Sequence, residues 1–217
     1  PMLAFSRPPE HFDLGAAEES GEISRQSAAA GEALGRLAPE SWPTPIYDAC
    51  SGRGGKTMFL LERLKSEIWA GDVHFGRLRA LKRERERLGL PELPVILASA
   101  EAPPLGRAPG TILLDAPCSG LGVLSRRPDA KWKRDRRHLA ELSVLQGRML
   151  SACYASLAPG GLLVYLTCTL NPAENEDAVA AFLAATPGAV LQSVHNPGSG
   201  AETDLGEYFY AAVIRNS

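Results

Sequence analysis

The sequence predicts a doubly wound, mostly parallel α/β sheet. Two observations carry that reading. From residue 46 onward, short apolar runs alternate with longer amphipathic segments at the spacing of repeated strand and helix units. The run Thr111-Ile112-Leu113-Leu114-Asp115 is almost wholly apolar and closes on a carboxylate, as expected for a strand covered on both faces.

The first twenty residues mix Pro, Glu and small side chains without periodicity, so residues 1–23 read as an N-terminal extension or the remnant of an upstream domain. Residues 24–217 form the catalytic or binding domain proper. Ala and Leu give residues 24–37 helix propensity, and Pro39 ends that helix. Pro43 and Pro45 precede a short strand, 46–48. A helix over 56–64 leads to a strand at 68–70, and a charged helix over 75–88 ends at Gly89 before a strand at 95–97. After the 111–115 strand comes a long helix, 138–157, stopped by Pro159-Gly160-Gly161. A strand at 162–166 and a helix at 173–185, ended by Pro187-Gly188, follow; Val190-Leu191 and 208–214 complete the sheet. Ligands in such folds sit beyond the carboxyl ends of the strands, where the strand order reverses, so the informative residues are those just after each strand.

Composition narrows the function. A chain of 217 residues, 45% hydrophobic, can bury a core without disulfide or metal staples. No apolar run approaches the ~20 residues that span a bilayer, and the start lacks a signal-peptide pattern, so a cytoplasmic protein without a membrane partner is expected. The four cysteines, Cys50, Cys118, Cys153 and Cys168, include no C-x-x-C pair; free thiols, no metal and a monomer are expected. The net charge of −2 hides an asymmetry. Residues 1–50 carry −5, residues 51–150 carry +8 and residues 151–217 carry −5, which points to a polyanion-binding face in the middle of the chain.

The first strand runs into Asp48-Ala49-Cys50-Ser51-Gly52-Arg53-Gly54-Gly55-Lys56-Thr57. Its glycines permit a tight turn and close approach of a ligand, and a helix N-terminus then faces the ligand's anionic group. A phosphate-loop reading of Gly-Gly-Lys-Thr fails because Cys50 stands where that pattern needs glycine. Asp72 closes the second strand, 20 positions after Gly52, where a carboxylate accepts hydrogen bonds from a ribose diol; a helix N-cap is the alternative. The fourth strand ends in Asp115-Ala116-Pro117-Cys118-Ser119-Gly120 and the fifth in Thr167-Cys168-Thr169. Neighbouring strand ends would bring Cys118, Cys168 and Asp115 into one pocket. Between them, residues 126–137 hold seven basic side chains, two acidic ones and Trp132. Arg126, Arg127, Lys131, Lys133 and Arg134 are candidates for phosphate contact.

These motifs resemble the Nol/Nop/Sun (Fmu-like) family of RNA cytosine-5 methyltransferases, in its bacterial ribosomal-RNA branch, from about Gly21 to Arg215. Asp48 to Thr57 is similar to the family's D-x-C-A-A-P-G-G-K-T. Asp115 to Gly120 is its D-A-P-C-S-G, and Thr167-Cys168-Thr169 with Pro172, Glu174, Asn175 and Glu176 is its T-C-[ST]-x-x-P-x-E-N-E. Arg127-Pro128-Asp129 with Lys131-Trp132, and Tyr208-Phe209-Tyr210-Ala211, also match. The resemblance implies a Rossmann-like S-adenosylmethionine-dependent methyltransferase acting on RNA, ribosomal RNA in the first place. It implies that Cys50, Ser51, Gly52, Arg53, Gly54, Gly55 and Lys56 cradle the cofactor and that Asp72 holds its ribose. It further implies that Cys168 attacks cytosine C6, that Cys118 assists release and that Asp115 faces the base; Asp115 also adjoins the cofactor.

The chemistry suits these residues. Attack by a thiolate on C6 makes C5 enamine-like and able to accept a methyl group, after which the C5 proton must leave. A protonated Asp115 would donate to N3. A thiol of pKa ~8.5 is a few per cent thiolate at neutral pH, so local activation of Cys168 is expected. The target base must be unstacked, which favours looped or single-stranded RNA. Ser51-Gly52-Arg53 replaces the family's Ala-Ala-Pro, and Ser99 stands where an adenine-binding Asp is common, leaving that contact to Ser99 or Glu101. Two other functions fit the same domain. One is an RNA-binding or ribosome-assembly factor with a decayed cofactor site; the other is methylation of a small molecule or protein, which leaves the paired thiols unexplained.

Overall fold

The computed structural model describes residues 12–24, 26–126, 128, 135–197 and 206–217. Parallel strands buried on both faces need helices on both sides, and the chain supplies them in alternation. β1 (Ile46–Asp48), β2 (Ile68–Asp72), β3 (Val95–Leu97), β4 (Thr111–Asp115) and β5 (Leu162–Thr167) are joined by parallel pairings. β6 (Ala189–His195) and β7 (Tyr210–Asn216) complete a sheet of order β3-β2-β1-β4-β5-β7-β6. β7 is antiparallel to both its neighbours and is inserted between them. The order reverses between β1 and β4, so the switch-point crevice opens beyond Asp48 and Asp115.

The period-2 alternation of side chains sorts the core onto the two faces. Tyr47, Ile112, Leu114, Leu163 and Tyr165 meet α5 (Arg136–Ala155) and α6 (Glu176–Ala185) through Met149, Leu150, Cys153, Val179 and Phe182. Ile46, Ile68, Leu113, Val164 and Leu166 meet α2 (Ala28–Arg36), α3 (Gly55–Arg63) and α4 (Phe75–Arg87) through Leu34, Met58, Leu60 and Leu81.

Several boundaries move, each for a local reason. A short α1 (Leu14–Glu19) forms in the stretch read as linker, capped by Asp13, whose side chain accepts from Ala16 N. It is held down by Arg87, which donates to the Glu18 and Ile23 carbonyls. α2 starts at Ala28 rather than near residue 24, because Ser27 is the residue whose oxygen accepts from Ala30 N. Asp135 caps α5 in the same way, two residues earlier than expected. The helix expected over 173–185 is interrupted: a 3-10 turn, Pro172–Glu174, precedes α6 and the break falls at Asn175. Among the described residues no helix is long and apolar enough to cross a membrane.

Candidate functional site

The glycine loop is built as its composition implies. Gly54 caps α3 at φ +95°, and a Cβ there would lie 2.8 Å from Met58 Cε and 2.9 Å from Leu81 Cγ, so only glycine fits without strain. Ser51 N and Oγ donate to Gly71 O at 2.9 and 3.1 Å, tying the loop to the end of β2. Asp72, at 5% exposure, accepts from Gly52 N at 3.0 Å and from His74 N at 2.7 Å. Asp72 thus faces the glycine loop and the turn before α4, whose cap position is His74 rather than Asp72, and Arg77 Nη1 lies 3.8 Å from its Oδ2. Two bonds leave the carboxylate further lone pairs.

Asp48 lies beneath this loop, fully buried. Thr57 Oγ1 donates to its Oδ2 at 2.7 Å, whereas its Oδ1 has no partner among the described residues. Burial pushes its carboxyl from 3.8 to about 7, against the Thr57 bond. Cys50 is likewise pushed up by burial and then by the charge of Asp48. Beyond β3, Ser99 Oγ accepts from Glu101 N at 3.1 Å, and Glu101 is engaged by Arg148 Nε at 2.7 Å.

The second half of the site forms where β4 and β5 end side by side. Asp115 pairs with Leu166 in the ladder, so both chains leave the sheet at one height. Cys118 Sγ and Cys168 Sγ meet at 3.2 Å, and Cys168 N donates to Cys118 Sγ at 3.3 Å. The Cys118 thiol is held well above the ordinary range, first by its hydrogen bond to Cys168 and then by burial. Lys56, which sequence reasoning grouped with the cofactor loop, places its Nζ 2.5 Å from Asp115 Oδ2 and 5.4 Å from the centre of the Phe209 ring. Burial works to lower this ammonium, but the charge and hydrogen bond of Asp115 outweigh it and the group is raised. One glycine-loop residue therefore reaches across the switch point to the thiol side.

Three buried residues were given no role by sequence reasoning, although Phe209 and Glu174 fall within the matched motifs. Phe209 packs with Ala29, Ala30 and Ala33 of α2 against Cys168, so α2 forms a wall behind the sulfurs. Gln146 and Glu174 lie beneath the thiols, both fully buried. Gln146 had a signal: it interrupts the apolar face that Leu142, Met149, Leu150 and Cys153 make on α5. Cys153 stays an ordinary core residue, its thiol raised to about 12 by burial.

Of the basic candidates, Arg127, Lys131, Lys133 and Arg134 lie outside the described residues. Arg126 is described, and its Nε pairs with Glu207, a carboxylate at 6% exposure that also accepts from Ser27 Oγ. The Arg126 side chain remains more than half exposed. Among the described residues no group of three His, Cys, Asp or Glu side chains is arranged to hold a metal.

Comparison with known proteins adds three findings. The family profile described as 16S rRNA methyltransferase RsmB/F matches residues 35–211. Ribosomal RNA small subunit methyltransferase B of Vibrio vulnificus is 39% identical over 208 residues, covering 92% of this chain and 48% of that protein. The chain spans about half the length of the curated relatives it matches. Among solved structures, NSun6 from Pyrococcus horikoshii with SFG superposes at a TM-score of 0.80 with 30% identity, over 96% of this chain and 56% of that one. A methyltransferase homolog protein from the same organism superposes at 0.75 with 27% identity, over 96% and 73%.

Proposed function

The chain belongs to the RsmB/F family of 16S rRNA methyltransferases, and on that premise we propose that it is an S-adenosylmethionine-dependent RNA cytosine-5 methyltransferase domain with small-subunit ribosomal RNA as substrate. The observation that carries this reading is the meeting of two free thiols, 3.2 Å apart, at adjacent strand ends beside a carboxylate held by a lysine. We assign residues 24–217 to the catalytic domain and 1–23 to an extension of it, and place the protein in the cytoplasm.

The residues fit the cofactor. A loop that needs glycine at Gly54, a carboxylate at Asp72 with lone pairs to spare, and a buried Asp48 oxygen without a partner make a cradle rich in acceptors beside a helix N-terminus. Asp72 would hold the ribose, residues 50–55 the amino-acid end, and Ser99 the adenine edge. When bound, S-adenosylmethionine supplies an electrophilic methyl group.

The thiols divide the remaining work. The two sulfurs lie within hydrogen-bond reach of each other, and the match of Thr167-Cys168-Thr169 to the family pattern favours Cys168 as the nucleophile toward C6. Once Cys168 sulfur is bonded to C6 the hydrogen bond that raises Cys118 is weakened; Cys118 gives its own proton to solvent, and its thiolate then takes the C5 proton as the Cys168 S–C6 bond breaks and product is released. A carboxylate with an ammonium at 2.5 Å is an acceptor, so we place Asp115 on the exocyclic amine of the base rather than as a donor to N3. Lys56 then supplies a cation beside the charge that develops on the ring. The test is direct. Wild-type protein with cofactor and small-subunit ribosomal RNA should form 5-methylcytosine; Cys168→Ala should form none, and Cys118→Ala should accumulate a covalent protein–RNA adduct. Full turnover by Cys168→Ala would overturn the reading.

A further inference from the structure

Glu174 is a carboxylate at 0% exposure whose hydrogen-bond partners among the described residues are all neutral. Its Oε2 accepts from Ser119 N at 2.8 Å and from Gln146 Nε2 at 3.0 Å. Its Oε1 accepts from Asn171 Nδ2 at 3.0 Å and from Thr169 Oγ1 at 3.5 Å, and its main-chain carbonyl accepts from Tyr165 OH at 2.7 Å. A charge taken out of water without a countercharge is costly, and a packed apolar group of the same volume would satisfy the core as well. The placement of the donors accounts for the carboxylate. Ser119 follows Cys118 and Thr169 follows Cys168, and their hydroxyls also meet each other at 2.6 Å. Gln146 makes a second bond, to Pro117 O at 2.9 Å, on the other side of Cys118. One buried group therefore gathers the residue after each thiol and, through Gln146, the residue before one of them.

We infer that Glu174 is a positioning residue, which sets the separation and aim of the Cys118 and Cys168 sulfurs. The consequence for turnover rests on the thiol roles proposed above. Two sulfurs that serve adjacent atoms of one ring, C6 and C5, tolerate little drift, since ~1 Å of misplacement costs about 100-fold in rate. Two backbone bonds join the loops that carry them, Ala116 N to Leu166 O at 2.9 Å and Gly122 N to Cys168 O at 3.0 Å, and neither fixes where the Cys118 side chain lies, which leaves that to the polar side chains around Ser119.

The variant Glu174→Gln keeps the size and leaves Ser119 N and Gln146 Nε2 an acceptor, but turns an NH2 group toward the Asn171 amide and Thr169 hydroxyl donors. Two donors facing each other push one loop away. The experiment reads the sulfur separation without RNA: diamide takes one hydrogen from each thiol, becomes its hydrazine, and a Cys118–Cys168 disulfide forms, scored by mass in the joined peptides. Glu174→Gln should slow disulfide closure by on the order of 10-fold, and kcat should fall while the KM for cofactor stays put and the covalent RNA adduct rises as a share of enzyme. Gln146→Met, which keeps the Ser119 bond and frees Pro117, should slow closure less, and carries the test if Glu174→Gln does not fold. Closure at the wild-type rate in both variants overturns the inference. Slowed closure with wild-type protein that makes no 5-methylcytosine supports Glu174 as the spacer and overturns the thiol roles instead.

Discussion

Replacing Asp48 by Asn should change how stability depends on pH. The carboxyl is completely buried and faces the Thr57 hydroxyl, the Cys50 backbone N–H, the Lys56 ammonium and the Asp115 carboxylate. Burial, the largest influence, together with Asp115, moves it from 3.8 to about 7. At 1.36 kcal/mol per pH unit, that move corresponds to about 4 kcal/mol between the two protonation states. Because the folded state keeps a proton that the unfolded chain gives up, stability falls as pH rises from about 4 to about 7 and is level beyond. The amide introduced by Asp48→Asn cannot lose a proton, yet its carbonyl still accepts from Thr57. The variant should therefore gain on wild type as pH rises, up to about 4 kcal/mol above pH 7. For a chain of this size that is on the order of 10 °C in melting temperature. Thermal melts of both proteins, followed by circular dichroism from pH 4 to 8, measure the gap directly. Groups common to both proteins cancel in the difference. A gap that is constant with pH, or that narrows as pH rises, would refute the buried-carboxyl argument.

Three further substitutions separate the parts of the site. Gly54→Ala should lose about 2–4 kcal/mol in denaturant melts, since it combines a positive φ with contacts under 3 Å to Met58 and Leu81. Lys56→Met should lower turnover on the order of 100-fold while cofactor affinity by calorimetry stays within about 3-fold, because Nζ lies on Asp115 and not in the glycine loop. The opposite split would return Lys56 to the cofactor. Arg126→Ala should lower the melting temperature, as it strips a guanidinium from buried Glu207, and should leave the salt dependence of RNA binding unchanged. A salt slope reduced by about one would make Arg126 a phosphate contact after all.

What could be read from the sequence was whatever is local or repeated. β4 and β5 were legible because strands buried on both faces are apolar throughout, and Asp48, Asp72 and Asp115 were legible because ligands gather at strand ends. What escaped depends on partners far along the chain. The choice of Ser27 over Ser24 as the cap of α2 goes with a bond from Ser27 to Glu207, 180 residues away. The break before α6 follows from Asn175, whose side chain turns back to Thr169 O at 2.9 Å and to Thr167 instead of continuing a helix. The insertion of β7 between β5 and β6 leaves no mark in the order of the elements. The Lys56 ion pair was not legible because its carboxylate lies 59 positions on.

The thiol pair shows how these two kinds of information combine. Cys118 and Cys168 are 50 positions apart, and the ladder that pairs Asp115 with Leu166 brings them to one height above the sheet. A slip of one residue in that pairing would exchange the side chains β5 presents to its two helical layers, so the fit of Leu163 and Tyr165 to one layer and Val164 and Leu166 to the other holds the height. Height is not separation. Beyond the ladder one backbone bond, Gly122 N to Cys168 O at 3.0 Å, joins the two loops, and around the sulfurs their distance is adjusted by polar groups, Ser119, Thr169, Gln146 and Glu174, that a hydrophobic pattern does not encode. Damage to the ladder should therefore unfold the domain, whereas damage to the polar group beneath the sulfurs should leave a folded protein whose thiols no longer meet. The two outcomes separate cleanly when melting temperature and disulfide closure are measured on the same variants.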